Sequence, residues 1–383
     1  MSRTGSRRWL LFVLMFSGCS ALRLATPLRP TPEDWSTLGG SVTRTGTRAT
    51  SFAPPLALEW ETDIAAGTGP GSPVTVDSAI VLGTLRGELY VIHCRTGKRL
   101  GSTVVGDAIG GSPLVSGNTV IVAMSNPVES LLAFDLALGR PVWTKGYGDM
   151  EVTPLLYGRR LYSGNIYGTF FCIDPQNGEQ LWNYAIPGNV AMKGIRSSPA
   201  AAGTMVIFGA DDGTLYGMDT ALHKPRWTVP TGSPIVASVA IDSGMAVVGT
   251  LAGMVYAVDC ETGIVRWTHT AGASVYAGAV LTQSTALIST IGGMVMRLRM
   301  ADGSTLWTRD IRGPVSGAAV ATGEYIYLGT LDKRFICLSL ASGEVLWSTM
   351  LEGRVKSAPA VACGRLLVTT DDRSLLSFIR RTP

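Results

Sequence analysis

Charge is scarce in this sequence. Only 16% of the 383 residues are Asp, Glu, Lys or Arg, whereas 46% are hydrophobic. This composition excludes an intrinsically disordered chain, which combines high charge with few apolar residues. Three of the 32 basic residues, Arg3, Arg7 and Arg8, lie among the first eighteen residues, so the rest of the chain carries 29 basic and 28 acidic side chains. A nucleic-acid-binding surface needs a clear basic excess, and no such excess is present.

Catalytic and metal-binding motifs are also lacking. The sequence contains no GxSxG, P-loop or HExxH pattern. Its three histidines, His93, His223 and His269, fall in different units of the repeat that fills the chain, so a shared metal ion or catalytic pair is not expected. The acidic pairs at 211–212 and 371–372 stand where other units have hairpin residues, and we interpret them as turns. The sequence therefore predicts no enzyme, no catalytic residues, no metal site and no cofactor.

Cysteine is sparse and isolated. None of the six cysteines is adjacent to another or spaced as CxxC. Cys94 and Cys260 occupy the same place in their repeats, as do Cys172 and Cys337, so the members of each pair belong to different units. We expect the cysteines beyond Cys19 to be small buried hydrophobic residues rather than disulfide partners or metal ligands.

A long hydrophobic run occurs only at the amino terminus. "MSRTGSRRWLLFVLMFSGCS" has a basic start, an apolar stretch and small residues before Cys19. The apolar stretch is too short to span a bilayer and is typical of a secretory signal. Phe16–Cys19 resembles a bacterial lipobox, in which the cysteine is acylated, palmitate included, and becomes the new amino terminus. We therefore predict a lipoprotein signal peptide over 1–18 and lipid attachment at Cys19, with simple secretion as the alternative.

Downstream of this signal the composition changes twice. Residues 19–55 are rich in Pro, Thr, Ser, Arg and Gly, and are predicted to form a tether and lead-in. From residue 56 to residue 383 the chain repeats itself with a period near 40 residues, which indicates stacked supersecondary units. The repeat is marked by tryptophans with steps of 39, 45, 40, 40 and 40 residues, and Trp60 continues the series towards the amino terminus: Trp143, Trp182, Trp227, Trp267, Trp307 and Trp347.

Each unit has an apolar pattern with a period of two, broken by turn residues, which predicts four strands of five to seven residues. The fullest motif is "AVDCETGIVRW", residues 257–267. Gly263 supplies the positive φ of a hairpin, Asp259 accepts turn amide hydrogens, and Trp267 is large enough to fill the wedge between adjacent sheets. In other units the aspartate is replaced, for example by Arg299 or Ser339, so the motif is interpreted as structural.

The number of units sets the architecture. Eight inner strands are predicted to begin near Pro73, Pro113, Pro154, Pro199, Val239, Ala279, Ala319 and Pro359. The last unit ends before a fourth strand, whereas residues 56–64 form a fourth strand without the preceding three. Pairing these two pieces closes a ring without an open edge. The predicted fold is all-β, a single eight-bladed β-propeller with four-stranded blades, closed by an amino-terminal strand.

The AxDxxTGxxxW motif resembles the pyrroloquinoline-quinone-type propeller repeat across 56–383. With the lead-in "DWSTLGGSVTRTGT" and the lipobox, the chain is similar to the BamB family of lipoproteins in outer-membrane β-barrel assembly. This resemblance implies a protein-binding scaffold that is monomeric within a complex, anchored to the outer membrane and facing the periplasm, with a BamA-type barrel assembly protein as its partner. The alternatives are an extracytoplasmic recognition propeller of unknown ligand and a quinone-dependent dehydrogenase. Such a dehydrogenase needs a Ca²⁺ site, usually has a vicinal cysteine pair, and carries insertions that this chain has no room for.

One segment is similar to the family's partner-binding loop. Residues 191–219, "AMKGIRSSPAAAGTMVIFGADDGTLYGMD", include Arg196 as the counterpart of the loop arginine, while the family's acidic residues on the next loop are absent from "TGSPIVASV". The connection 183–198 is also the longest in the chain, and extra loop length usually serves recognition. The resemblance implies that the partner contacts Arg196 and the flanking Lys193 and Ile195, and the length and apolar centre of the loop add Ala191 and Met192 to the predicted contacts. The alternative for Arg196 is an ordinary solvated loop residue.

Overall fold

A computed structural model describes residues 22–188, 193–282 and 284–381 of the chain. Each repeat folds into a small antiparallel sheet, because short β-branched and aromatic runs are separated by turn residues with positive φ. Within the described residues the only helical element is the 3₁₀ turn Leu38–Gly40, and no helix has the length and hydrophobicity to cross a membrane. The all-β prediction is confirmed.

The chain first forms two strands of the lead-in, β1 (Thr47–Arg48) and β2 (Leu56–Asp63), and then enters the blades. Blades 1 and 2 consist of β3 (Val74–Val76), β4 (Ala79–Gly83), β5 (Glu88–His93), β6 (Arg99–Val104), β7 (Leu114–Ser116), β8 (Thr119–Ala123), β9 (Leu131–Asp135) and β10 (Arg140–Lys145). Blades 3 and 4 consist of β11 (Leu155–Tyr157), β12 (Arg160–Gly164), β13 (Thr169–Ile173), β14 (Gln180–Ala185), β15 (Ala200–Ala202), β16 (Met205–Gly209), β17 (Thr214–Asp219) and β18 (Lys224–Pro230).

The second half of the ring repeats this order. Blades 5 and 6 consist of β19 (Ala240–Asp242), β20 (Met245–Gly249), β21 (Met254–Asp259), β22 (Val265–Thr270), β23 (Val280–Thr282), β24 (Thr285–Ser289), β25 (Met294–Arg299) and β26 (Thr305–Asp310). Blades 7 and 8 consist of β27 (Val320–Thr322), β28 (Tyr325–Gly329), β29 (Arg334–Ser339), β30 (Val345–Met350), β31 (Ala360–Ala362), β32 (Arg365–Thr369) and β33 (Ser374–Arg380), and β2 supplies the fourth strand of blade 8. Each inner strand begins one residue after its predicted start.

The ring closes through β2. This strand pairs antiparallel with β33, from Leu56 opposite Arg380 to Asp63 opposite Ser374. Glu59 on β2 accepts two hydrogen bonds of 2.6 Å from the Arg365 guanidinium on the next strand but one. The first and last segments of the propeller therefore share one sheet, and the predicted eight-bladed ring with amino-terminal closure is confirmed.

Tryptophans occupy the outer interfaces between blades. A β-bulge lies beside the outer-strand position, and five of the indoles pack against the hairpin glycine of the following blade, as Trp227 does on Gly263, while Trp347 packs on Phe378 of blade 8. The indole N–H often donates to a carbonyl of that hairpin, for example Trp227 to Cys260 at 2.9 Å. In blade 4 His223 replaces the glycine at a φ of 57°, and its ring stacks on Trp182 at 5.2 Å. The remaining members of the series stand at the same place in their blades: Trp60, Trp143, Trp267, Trp307 and Trp347.

Blade 1 is the exception, because Gly101 stands at the register position of the tryptophan. Leu22 from the lead-in fills the gap: a β-carbon on Gly101 would lie 3.0 Å from Leu22 Cδ1. The next blade's hairpin glycine, Gly139, is covered by Leu22 and Arg23 instead of an indole. The wedge between blades 1 and 2 is therefore built from the amino-terminal segment.

The rest of the lead-in runs across one end of the central channel. Backbone carbonyls of residues 35–48 accept hydrogen bonds from the inner strands of blades 1, 2, 4, 5, 6 and 7, for example Trp35 from Thr75 at 2.9 Å and Thr45 from Leu281 at 2.9 Å. Arg44, which is buried, donates to the carbonyls of Thr153 and Pro199 in blades 3 and 4. Burial lowers the pKa of Arg44 to about 9, which leaves its guanidinium charged at neutral pH. We call residues 35–48 the plug, and the side of the ring that they cover the plugged face.

The expectation that all cysteines after Cys19 are unpaired is wrong for two of them. Cys94 and Cys363 form a disulfide between blades 1 and 8. The residues stand at different places in their repeats, but the turn after the inner strand of one blade abuts the outer hairpin of the next, and in a closed ring blade 8 precedes blade 1. Cys172, Cys260 and Cys337 are free and buried, and burial raises the pKa of the Cys260 thiol to about 12.

Candidate functional site

The face opposite the plug, which we call the open face, carries the connections that lead into the inner strands. On each connection the residue four places before the inner strand points towards the axis, so the ring presents one such residue per blade. Together they line a single cavity of about 560 Å³, which lies within the size range of ligand pockets. The eight residues are Pro70, Gly110, Glu151, Arg196, Val236, Tyr276, Ser316 and Lys356.

The wall of this cavity, which we call the funnel, is largely apolar. Leu85 and Tyr276 are 48% and 45% exposed, although both are large hydrophobic residues. Leu331, Val236 and Ala108 complete the apolar part of the lining. Exposed apolar side chains that converge in a concave site are typical of a binding surface.

Two ion-pair clusters stand on opposite sides of the funnel. In blade 4, Arg196 pairs with Asp211 of the neighbouring hairpin and, at 3.3 Å, with Glu151 of blade 3. In blade 8, four blades away, Asp371 pairs with Lys356 at 3.2 Å and with Arg354 at 2.7 Å. Asp211 and Asp371 hold the same place in their hairpins, since the amide of each donates to the connection beside it. Both acidic pairs, 211–212 and 371–372, lie in turns. The first carboxylate of each pair forms ion pairs with basic residues at the rim of the funnel.

The two carboxylates differ in their protonation equilibria. Burial raises the pKa of Asp211, Arg196 opposes this effect, and the neighbouring Glu151 and Asp212 add to it, so the pKa of Asp211 is raised overall. Burial also acts on Asp371, but the hydrogen bonds from Arg354 and Lys356 outweigh it and lower the pKa of Asp371. Within the described residues, Asp211 Oδ1 and the Ser316 hydroxyl are buried without a hydrogen-bond partner. One of these atoms, Asp211 Oδ1, belongs to the Arg196 cluster, and the other, the Ser316 hydroxyl, lies on the connection into blade 7.

The connection that carries Arg196 is the longest between blades. It spans 186–199, fourteen residues, whereas six of the other connections have nine. Lys193 is half-buried, its ammonium group donates to the Ile186 carbonyl at 2.8 Å, and its alkyl chain covers Gly168. Ile195 is fully buried against Gly164.

The predicted partner contacts lie in different environments. Ile195 is a packing residue of the blade and presents no surface to a partner. Arg196 is exposed at the rim of the funnel. Ala191 and Met192 lie outside the described residues, as does the predicted lipid-attachment residue Cys19. Glu151, Tyr276 and Lys356 were not among the predicted site residues, although each lies close to four residues before a predicted inner strand.

In the described part of the chain, side chains suited to metal binding or redox chemistry do not form a cluster. Across residues 22–188, 193–282 and 284–381, no cluster of three or more His, Cys, Asp or Glu side chains could hold a metal ion. The three histidines stand on three different blades, and His223 is engaged with Trp182. The funnel is the cavity at which connections of all eight blades converge, and we take it and its rim as the candidate recognition site.

Comparison with known proteins places this geometry in a family. The family model described as outer membrane protein assembly factor BamB matches residues 49–189, 129–286, 188–312 and 291–382. No curated protein sequence matches the chain. Among solved structures, BamB from Moraxella catarrhalis is similar with a TM-score of 0.73 and 17% identity, covering 85% of this chain and 100% of that one.

Two enzymes share the architecture. Quinohemoprotein alcohol dehydrogenase from Comamonas testosteroni aligns with a TM-score of 0.75 and 14% identity over 92% of this chain and 82% of that one. A europium-containing methanol dehydrogenase aligns with a TM-score of 0.72 and 12% identity over 88% and 89% of the two chains. At these identities the structural likenesses show the fold alone. The family model matches well over half of the chain, and the chain therefore belongs to the family of the outer membrane protein assembly factor BamB.

Proposed function

We propose that the protein is a non-enzymatic, lipid-anchored scaffold that binds other proteins during outer-membrane β-barrel assembly. Cys19 carries the anchor, the propeller faces the periplasm, and a BamA-type barrel assembly protein is the partner. The observation that carries this proposal is the family match over residues 49–382. The proposal assigns the open face to the partner, because the plug occupies the other end of the channel.

Arg196 is the centre of the proposed contact. Its guanidinium is exposed yet held between Glu151 and Asp211, so little side-chain entropy remains to be lost on binding. Arginine at the rim of a cavity whose lining also includes the exposed Tyr276 and Leu85 has the composition of a binding hot spot.

The test is capture of the partner from native envelopes. Arg196→Glu should weaken co-purification of a BamA-type barrel protein tenfold or more, about 1.4 kcal/mol. Lys356→Glu is the matched control, because Lys356 holds the same ring position on the opposite blade and also pairs with a largely buried carboxylate. Both variants should stay folded and lose stability to a similar extent, since Asp211 and Asp371 are only 11% and 18% exposed and each loses one cation.

Two results would contradict the proposal in different ways. If both variants lose partner capture equally, Arg196 has no specific role and the open face as a whole binds the partner. Failure of the wild type to retain any barrel assembly protein would favour the recognition propeller of unknown ligand. The anchor is tested separately: Cys19→Ala should move the protein from the membrane fraction to the soluble fraction, and retention in membranes without an acyl label would disprove lipid attachment.

A further inference from the structure

The amino-terminal segment is fastened to blade 2 from its first described residue. Leu22 is 1% exposed in the wedge beside Gly101. The amide of Leu24 donates to Leu136 O at 2.7 Å, and Arg23 Nε donates to Ala137 O at 3.1 Å. Leu28 N reaches Asn118 Oδ1 at 2.8 Å. No free chain therefore remains between residue 22 and the propeller.

This fastening limits how far the body can stand from a lipid anchor. Cys19 precedes Leu22 by three residues, and an extended chain spans at most about 3.3–3.6 Å per residue, so the two are separated by about 11 Å or less. Electrostatic attraction to a charged lipid surface acts over a similar distance, about 8–10 Å at physiological salt. An acylated Cys19 would hold the outer hairpin of blade 2 within that range.

One residue at this corner, Leu138, differs in type from the matching residues of most other blades, whereas exposed apolar residues at the Val142 position recur as Leu181, Leu306 and Leu346. Leu138, at the tip of the blade 2 hairpin, is 54% exposed, and Val142 on the following strand is 50% exposed. The position of Leu138 is polar in five other blades and apolar again only as Leu222 in blade 4; the polar residues are Thr96, Asn177, Thr262, Asp302 and Ser342.

Basic side chains surround these apolar residues. Arg23 and Arg140 are exposed on the lead-in and on blade 2, and Arg159 and Arg160 line the same 750 Å³ cleft as Val142. The two nearby carboxylates, Asp135 and Asp174, accept hydrogen bonds from the amides of their own turns. Four cations against two internally bonded carboxylates give the corner a positive balance.

We infer that this corner of the plugged face, formed by Leu138, Val142 and the four arginines, rests against anionic lipid headgroups, an inference that depends on the proposed acylation of Cys19. Exposed apolar side chains ringed by cations suit the interface, where apolar groups enter the acyl boundary and cations meet the headgroups. The funnel then points away from the bilayer, towards the partner.

The test uses the acylated, full-length protein on vesicles of phosphatidylethanolamine with and without phosphatidylglycerol. A polarity-sensitive dye is attached at Leu138→Cys, at Leu222→Cys or at Leu85→Cys, since the three native free thiols are buried. Leu222 is the matched exposed leucine of blade 4, and Leu85 lies in the funnel. Lipid-borne quenchers should act strongly at 138, less at 222 and not at 85. Arg140→Glu with Arg160→Glu should lower the quenching at 138 on vesicles that contain phosphatidylglycerol, because the acyl chains keep the protein bound while the corner loses its attraction to the headgroups.

Quenching at 85 equal to or above that at 138, or none at any position while the protein stays bound, would overturn the inference. Either result leaves the partner capture experiment unaffected. Absence of an acyl group on Cys19 in mass spectrometry would remove the anchor and, with it, this orientation.

Discussion

Cys94 and Cys363 form a disulfide across the seam of the ring, joining residues that are 269 positions apart in the chain. The seam is the place where the two ends of the propeller meet. Blade 8 takes three strands from the last repeat and its fourth strand, β2, from the segment before blade 1. The disulfide and β2 thus act at the same place: the strand supplies the hydrogen-bonded edge, and the covalent bond prevents the ring from opening there.

Removing the disulfide should destabilise the protein. We expect Cys94→Ser with Cys363→Ser to lower the free energy of unfolding by about 2–5 kcal/mol, because a cross-link over a long loop restricts the unfolded chain. The measurement is thermal and urea unfolding of wild type and variant, each with and without a thiol reductant. Reductant should lower the melting temperature of the wild type and leave the variant unchanged. If the wild type is insensitive to a reductant that mass spectrometry shows to have cleaved the bond, the disulfide does not hold the seam.

Leu22 should be a core residue despite its place near the amino terminus. It fills the wedge beside Gly101 that an indole fills elsewhere, so Leu22→Ala leaves a cavity and should cost about 2–4 kcal/mol in urea unfolding. Leu138→Ala is the matched control, because Leu138 is exposed on the adjacent hairpin and its truncation should change stability by less than about 0.5 kcal/mol. Equal effects of the two substitutions would show that the lead-in does not complete this wedge.

The sequence predicted the ring but not its seam chemistry or its funnel. The regular spacing of Trp143, Trp227 and Trp267 indicates hairpins between strands that are neighbours in sequence, and these hairpins build the blades. Contacts between the first and last blades depend on ring closure, so comparing equal repeat positions could not pair Cys94 with Cys363. Leu22 escaped detection for the same reason, since a single leucine in a Pro- and Ser-rich segment has no periodicity to mark it.

The candidate site was likewise predictable only where local sequence determines it. Arg196 was identified by resemblance, whereas its partners Glu151 and Asp211 come from another blade and another hairpin. Ile195 was grouped with it because the two are adjacent in sequence. In an extended connection adjacent side chains point to opposite sides, which places one in the core and the other at the rim.

Acid should weaken the fold through Asp259. The Arg266 guanidinium at 2.7 Å, followed by the Thr262 amide and hydroxyl, holds the pKa of Asp259 well below its usual range. A carboxyl whose pKa is depressed in the folded state contributes stability above its unfolded pKa, near 4, and loses that contribution as the pH falls. We expect the free energy of unfolding to fall between about pH 5 and pH 3. Asp259→Asn should flatten this dependence, and Glu129→Gln, an exposed carboxyl outside any described ion pair, should not. A pH profile unchanged by Asp259→Asn would assign the acid sensitivity to other groups.

The closing strand and the disulfide should be energetically coupled. Trp60 on β2 packs on Gly97 of blade 1, and Thr62 beside it donates to Gly97 O at 2.7 Å. Trp60→Ala should therefore cost about 3 kcal/mol by itself. Because Cys94 lies in the same blade 1 hairpin, the cost of Trp60→Ala should change by more than about 0.5 kcal/mol when the disulfide is absent.

Trp267→Ala provides the comparison, since Trp267 fills an equivalent wedge between blades 5 and 6, far from the seam. Its cost should add to that of the cysteine substitutions within about 0.5 kcal/mol. A double-mutant cycle in urea at one pH measures both couplings. If both tryptophans couple to the disulfide equally, the ring unfolds as one unit whose seam has no special role. If only Trp60 couples to the disulfide, unfolding of the ring begins where the first and last blades meet, and β2 and the disulfide together oppose it.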